Sequence, residues 1–228
     1  MTAGRRVEAV VFDAYGTLFD VHAAMARHAR RVGEDWETVS AFWRRKQLEY
    51  AWVASLTGPD HWRDFEAMTR NALYTALNWH GGASLDLVDD LMAAYRASPA
   101  FADVRPALAA LRAAGIATAI LCNGSRAMLA AAVASAHLGP LLDHVLSVDA
   151  VRAYKPDPRA YRLAEDAFRL HCSRIGYVSA DAWDAQAAAA YGFRTVWVNR
   201  INQPVEFAIH QIARMAADLD AVPEILLS

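Results

Sequence analysis

The stretch Val7-Glu8-Ala9-Val10-Val11-Phe12-Asp13-Ala14-Tyr15-Gly16-Thr17-Leu18-Phe19-Asp20 decides how the rest of the chain is read. Val7 to Phe12 is short, apolar and β-branched, and it breaks off at Asp13 and Gly16. Such a run is a buried strand followed by a turn. It leaves the Asp13 carboxylate at the strand tip with Thr17 nearby. Taken alone, an aspartate at such a turn also serves as a helix cap, and Asp20 fits that purpose equally well.

Four more segments have strand character: Ala117–Cys122, His144–Val148, Arg174–Val178 and Thr195–Val198. Helical patterns at Pro106–Ala114, Ser125–Ala136, Pro158–Leu170 and Ala182–Ala190 separate them, and Gly115 is a natural C-terminal cap. Strands alternating with helices of this length predict βαβ units and a doubly wound parallel sheet, an α/β fold. The stretch from Ala23 to Ser98 breaks the alternation. It carries amphipathic helical runs at Ala41–Ser55, Asp64–Leu77 and Leu85–Tyr95, punctuated by Thr57-Gly58-Pro59-Asp60 and His80-Gly81-Gly82. The expected organisation is therefore an α/β core over 1–20 and 99–228, with a helical cap over 21–98 inserted after the first strand.

The 228 residues amount to about 1.5 average domains, which suits one domain with an insertion. An apolar content of 55% excludes a disordered chain, and a net charge of −2 leaves no electrostatic footprint for nucleic acid. Cys122 and Cys172 stand far apart, so neither a disulfide framework nor a zinc site is expected. The first apolar run stops at Asp13, unlike a signal peptide, and nothing approaches the ~18 apolar residues of a membrane span. The expectation is a cytoplasmic protein. Gly-Lys-Ser/Thr, Gly-x-Gly-x-x-Gly, His-Glu-x-x-His and Gly-x-Ser-x-Gly motifs are absent from the sequence.

What remains is a set of polar residues, each just after a strand, where open α/β sheets bind ligands. Asp13 leads it. Asn123-Gly124-Ser125 closes the second strand, and by itself reads as an Asn-Gly turn with Ser125 capping a helix. Lys155 is presented between Tyr154 and Pro156-Asp157-Pro158, a rigid loop from which an ammonium would hold a carboxylate ionised. Ser179, Asp181 and Asp184 follow the fourth strand, and Asp184 either caps the next helix or holds Lys155.

Together these motifs resemble the haloacid dehalogenase superfamily, and most closely its L-2-haloacid dehalogenase (type II) branch. The resemblance rests on Val11–Asp20, Trp43–Tyr50, Leu121–Ser125, Tyr154–Tyr161 and Val178–Asp184, and spans about Val7 to Arg200. Phosphatases of the superfamily keep a second aspartate two residues after the nucleophile as general acid. Here that place is Tyr15, a phenol ill suited to the task. Ser179 and Ala180 stand where an acidic residue usually completes a magnesium site.

The resemblance therefore implies hydrolytic displacement of halide from a short 2-haloacid, with no metal and no cofactor, to give a 2-hydroxy acid of inverted configuration. It assigns Asp13 as nucleophile, Lys155 to keep it ionised, Tyr161 and Asp184 to orient Lys155, and Thr17 and Ser179 to assist. Arg44 and Asn123 receive the halide, with Phe65 lining that pocket. Cys122 and the Asn123 amide hold the substrate carboxylate, and Tyr15, Leu48 and Trp183 form an apolar wall. The partner is a small carboxylic acid, and the resemblance also suggests a homodimer built through the cap.

Three departures accompany it. Cys122 stands for a serine, Asp181 for an asparagine and Arg45 for a glutamine. Pro59–Trp62 fits a small insertion. A carboxylate at Asp181 calls for a nearby cation, supplied by Lys155, Arg45 or another group. It also motivates an alternative in the same superfamily, the hydrolytic ring opening of L-azetidine-2-carboxylate. A magnesium-dependent phosphatase using Asp13 and Asp181, and a catalytically idle binding protein, stand behind these.

Overall fold

The computed structural model describes residues 7–58, 60, 62–80 and 85–228. Part of the expected Pro59–Trp62 insertion, and Gly81-Gly82, lie outside them. The strands are β1 (Ala9–Phe12), β2 (Ala117–Cys122), β3 (His144–Ser147), β4 (Ile175–Ser179), β5 (Arg194–Val198) and β6 (Arg214–Ala216). They form one sheet in the order β3-β2-β1-β4-β5-β6, every pairing parallel. β1 is central and wholly buried, as its unbroken apolar run requires of a strand covered on both faces. Phe12 lies level with Ile120 of β2 and Val178 of β4, so Asp13, the residues after Cys122 and those after Ser179 emerge along one edge. The order reverses at β1, between β2 and β4, and the crevice beyond that reversal is where such sheets take ligands.

Ten helices complete the described chain: α1 (Ala23–Arg27), α2 (Ala29–Val32), α3 (Trp36–Leu56), α4 (Phe65–His80), α5 (Val88–Arg96), α6 (Val104–Ala113), α7 (Arg126–Ser135), α8 (Pro158–Phe168), α9 (Ala182–Tyr191) and α10 (Val222–Leu227). The first five all fall between β1 and α6, in the stretch that breaks the strand–helix alternation. Most element ends shift by a few residues from expectation, and α3 starts five residues earlier, at Trp36. β1 begins at Ala9 rather than Val7, because Val7 lies before the register with Ala117 and Ile175, and Val148 belongs to a 3₁₀ turn after β3. β6 and α10 carry too short a pattern to be read from sequence. β6 is a three-residue edge strand, set only by pairing with β5. Among the described residues no helix is long and apolar enough to cross a membrane.

Candidate active site

Asp13 leaves β1 with its backbone amide bonded to the Val178 carbonyl. The turn that follows closes tightly, with the Gly16 amide donating to the Phe19 carbonyl at 2.8 Å. Gly16 has φ 94°, a conformation that favours glycine. Both carboxylate oxygens of Asp13 are engaged. Lys155 Nζ donates to Oδ1 at 2.9 Å, and Thr17 Oγ1 donates to Oδ2 at 3.1 Å. Thr17 Oγ1 in turn accepts from the Ala180 amide at 2.9 Å, which fixes the hydroxyl's direction.

Lys155 is 1% exposed, and its ammonium bridges two carboxylates, donating also to Asp184 Oδ2 at 3.0 Å. Burial works against its charge, but Asp13 and Asp184 more than offset this and hold its pKa above the ordinary lysine value. Asp184 is fully buried, so desolvation pushes its carboxyl up while Lys155 opposes the rise. Tyr161 donates to its Oδ1 at 2.7 Å, and Tyr177 donates to its Oδ2 at 3.0 Å. Asn123 Oδ1 accepts from the Lys155 amide at 2.9 Å, tying the lysine loop to the tip of β2. Ser125 caps α7 as its segment suggests, accepting from the Met128 amide at 3.3 Å.

α3 brings the second half of the site. Residues 44, 48, 52 and 55 recur at helical spacing and form one strip. On it, Arg44 Nη2 donates to the Tyr15 carbonyl at 3.1 Å and to Asp181 Oδ2 at 2.9 Å. Trp52 meets Trp183 of α9 edge-on at 5.4 Å, and Ser55 Oγ accepts from the Tyr154 amide at 2.8 Å. Leu48 lies between Arg44 and Trp52, half-buried. The other side of α3 packs on α4: Trp43 Nε1 donates to the Thr69 carbonyl at 2.8 Å, and Gln47 Nε2 to Thr69 Oγ1 at 3.0 Å.

The walls are aromatic. Tyr15 stacks on Tyr95 at 5.0 Å, and burial pushes both phenols up, Tyr95 to about 12. Among the described residues the Tyr15 hydroxyl has no hydrogen-bond partner. A Cβ at Gly124 would lie 2.9 Å from the Tyr15 ring, so that approach requires glycine. Phe65, buried at the start of α4, leans on Tyr154 at 5.8 Å, and Tyr154 stacks on Trp62 at 4.3 Å. Cys122 is buried, with its Sγ accepting from the Gly124 amide at 3.3 Å. Burial and the Asp13 charge push its thiol up to about 11.

The geometry narrows two expectations. The cation beside Asp181 is Arg44 and not Arg45, which is exposed and stacks its guanidinium over the Phe42 ring at 4.8 Å. One residue further along α3 turns the side chain by about 100°, off the strip that faces Asp181. Ser179 is buried at the end of β4, but its Oγ accepts from the Asp181 amide at 3.3 Å, whereas Thr17 is the hydroxyl bonded to Asp13. Sequence reading also missed Tyr177, Tyr95, Trp52 and Tyr154. Tyr177 lies two residues before Ser179 and so on the same face of β4, a signal available from the period of a strand. The other three are placed only by packing between distant segments.

The haloacid dehalogenase-like hydrolase family model matches residues 7–192. The chain is 42% identical over 222 residues to (S)-2-haloacid dehalogenase 1 of Pseudomonas sp. (strain CBS-3), covering 97% of each. It is also 42% identical over 202 residues to (S)-2-haloacid dehalogenase 4A of Burkholderia cepacia, covering 88% of this chain and 87% of that one. Among solved structures, a dehalogenase superposes with TM-score 0.93 at 38% identity over 100% of both chains. The L-2-haloacid dehalogenase of Xanthobacter autotrophicus with chloropropionic acid covalently bound superposes with TM-score 0.85 at 32% identity, over 96% of this chain and 98% of that one.

Proposed function

This chain belongs to the haloacid dehalogenase-like hydrolases, and from that premise we propose that it is an (S)-2-haloacid dehalogenase. The observation that carries the reading is Asp13. It is buried and paired to the ammonium of Lys155, while the place of a proton-donating aspartate is taken by Tyr15, a buried phenol held neutral. A carboxylate paired to an ammonium and lacking an acid partner suits nucleophilic attack at carbon better than transfer to an oxygen leaving group.

In the first step an Asp13 oxygen bonds to Cα of the haloacid from the side opposite the halogen. The carbon–halogen bond breaks, and the halide leaves with its electron pair toward Arg44 and Asn123. In the second step water adds to the Asp13 carboxyl carbon and the ester's acyl–oxygen bond breaks. The (R)-2-hydroxy acid departs, Asp13 is restored, and one proton goes to solvent. Cys122 and the Asn123 amide hold the substrate carboxylate, with Tyr15, Leu48, Phe65 and Trp183 around the carbon chain.

The helices from α1 to α5 act as a cap over the sheet edge, with Arg44 as its contribution to the chemistry. We take the assembly to be a homodimer through this cap. The exposed apolar side chains Val53, Leu56, Tyr74 and Trp79 on α3 and α4 support that surface. The ring-opening alternative needed Asp181 for a cationic substrate nitrogen, and Arg44 already occupies that carboxylate.

The test is product analysis with (S)-2-chloropropionate in the presence of EDTA. Chloride and (R)-lactate in equal amounts are expected from the native protein, and none from Asp13→Asn. Turnover of L-azetidine-2-carboxylate without halide release from chloropropionate would overturn the reading.

A further inference from the structure

Lys155 pairs with Asp13 and Asp184, Arg44 pairs with Asp181, and the Asp13 charge is felt by both members of the second pair. With all of them ionised, three carboxylates face two cations before any substrate enters. A haloacid adds another negative charge, and displacement adds a halide. The Arg44–Asp181 bond makes the conflict local, because the same Nη2 that donates to Asp181 also donates to the Tyr15 carbonyl. An anion arriving at Arg44 meets the Asp181 carboxylate already there. Asparagine at this position would hydrogen-bond without adding charge.

The pair is open to exchange. Arg44 and Asp181 both line a cleft of about 570 Å³ together with Asp20, His22 and Arg200. Neither other cationic candidate there relieves Asp181. Arg200 donates to both oxygens of Asp103 at 2.8 and 3.0 Å, and His22 is bonded to Ser40 with burial holding its ring below the usual range. Asp20 accepts from the His22 amide. From inside the site Asp181 faces Asp13 at the tip of β1 and Asp184 of α9, both of like charge.

We propose that Asp181 is a specificity-determining residue that competes with the substrate and halide anions for Arg44, so that each anion binds together with a proton. The proposal rests on the dehalogenase reading of the site. Protonation cancels the repulsion and frees the guanidinium in one event. Burial, with Asp13 and Asp184 nearby, pushes the Asp181 carboxyl up to about 6 against the pull of Arg44. The proton is thus available near neutral pH.

The experiment measures kcat and KM for (S)-2-chloropropionate from pH 5 to 9, for the native protein and Asp181→Asn. The kcat/KM profile reports the free enzyme and kcat the complex. Native kcat/KM should fall by about tenfold per pH unit above pH 7, carried by a rising KM, with kcat flat because the bound anion keeps the proton on Asp181. The variant should lose that slope and show a KM at pH 8 lower by about tenfold or more. An unchanged slope in the variant, or a slope on kcat instead of KM, overturns the proposal.

Titration calorimetry of the native protein with sodium chloride at pH 7, in two buffers of different ionisation enthalpy, gives an arm independent of turnover. Uptake of about one proton per chloride is expected, and no uptake overturns the competition. If chloropropionate is not turned over but chloride still brings a proton, the reaction assignment fails and the Asp181–Arg44 competition stands.

Discussion

Replacing Lys155 by methionine tests the centre of the site with a change of charge at nearly constant length. Lys155 Nζ lies 2.9 Å from Asp13 and 3.0 Å from Asp184, with side-chain exposures of 1%, 9% and 1% for the three groups. Removing one partner of a buried ion pair costs about 3–5 kcal/mol, because the remaining charge is left uncompensated. Here two carboxylates would remain, and like charges in a shared buried site cannot both stay ionised, so one takes a proton. Asp184 keeps its two phenol donors while Asp13 keeps only Thr17. The proton therefore goes to Asp13 and removes the nucleophile.

At about 2–4 °C per kcal/mol for a chain of this size, the melting temperature at pH 8 should drop by about 10 °C. The native Lys155 pKa is raised, so its contribution is fully present below the unfolded lysine value and adds no slope between pH 5 and 9. In the variant a folded-state carboxyl is raised instead. The loss of stability should then shrink at pH 5 and grow toward pH 8. Thermal melts by circular dichroism across that range, with chloride release in parallel, supply the readout. Lys155→Met combined with Asp184→Asn removes one of the competing carboxylates and should recover part of both stability and turnover. A single variant that melts with the native protein at pH 8 and releases chloride at the native rate would refute the reasoning.

Two further outcomes follow from the same geometry. Cys122 holds its proton through neutral pH, since its thiol is pushed up to about 11, and a thiol is a weaker donor than a hydroxyl. Cys122→Ser should lower KM for 2-chloropropionate by about fivefold, the worth of one improved hydrogen bond, with kcat unchanged; steady-state kinetics would reveal it, and the native thiol should resist a disulfide reagent below pH 8. Tyr161→Phe removes the 2.7 Å donor that lowers the Asp184 carboxyl and so pushes it further up. Because the ionised Asp184 orients Lys155, the acid limb of the kcat profile should move to higher pH, and a profile that coincides with the native one would remove Tyr161 from that role.

Much of this molecule is legible in its residues taken in order. Buried strands announce themselves where apolar runs end abruptly in polar residues, as Phe12 gives way to Asp13 and Cys122 to Asn123, and β2 occupies the expected Ala117–Cys122. Helices show through spacing and caps, and α8 begins at the expected Pro158 with Asp157 accepting from the Arg159 amide. These signals are local, set by the strand and helix periods within a few residues. They also determine that Asp13, Asn123, Lys155 and Ser179 lie near one sheet edge, because parallel strands all end on the same side.

The tertiary structure decided the pairing of charges. Lys155 and Asp13 stand 142 residues apart and Arg44 and Asp181 stand 137 apart, and no local pattern encodes which distant groups come within hydrogen-bond reach. That is why Arg44 rather than Arg45 answers Asp181, why Thr17 rather than Ser179 is bonded to Asp13, and why Trp52, Tyr95 and Tyr154 became visible only in the packed molecule. The sequence determines which groups the sheet edge presents. Their burial and their ion pairing exist only once α3 has packed its Arg44 against that edge.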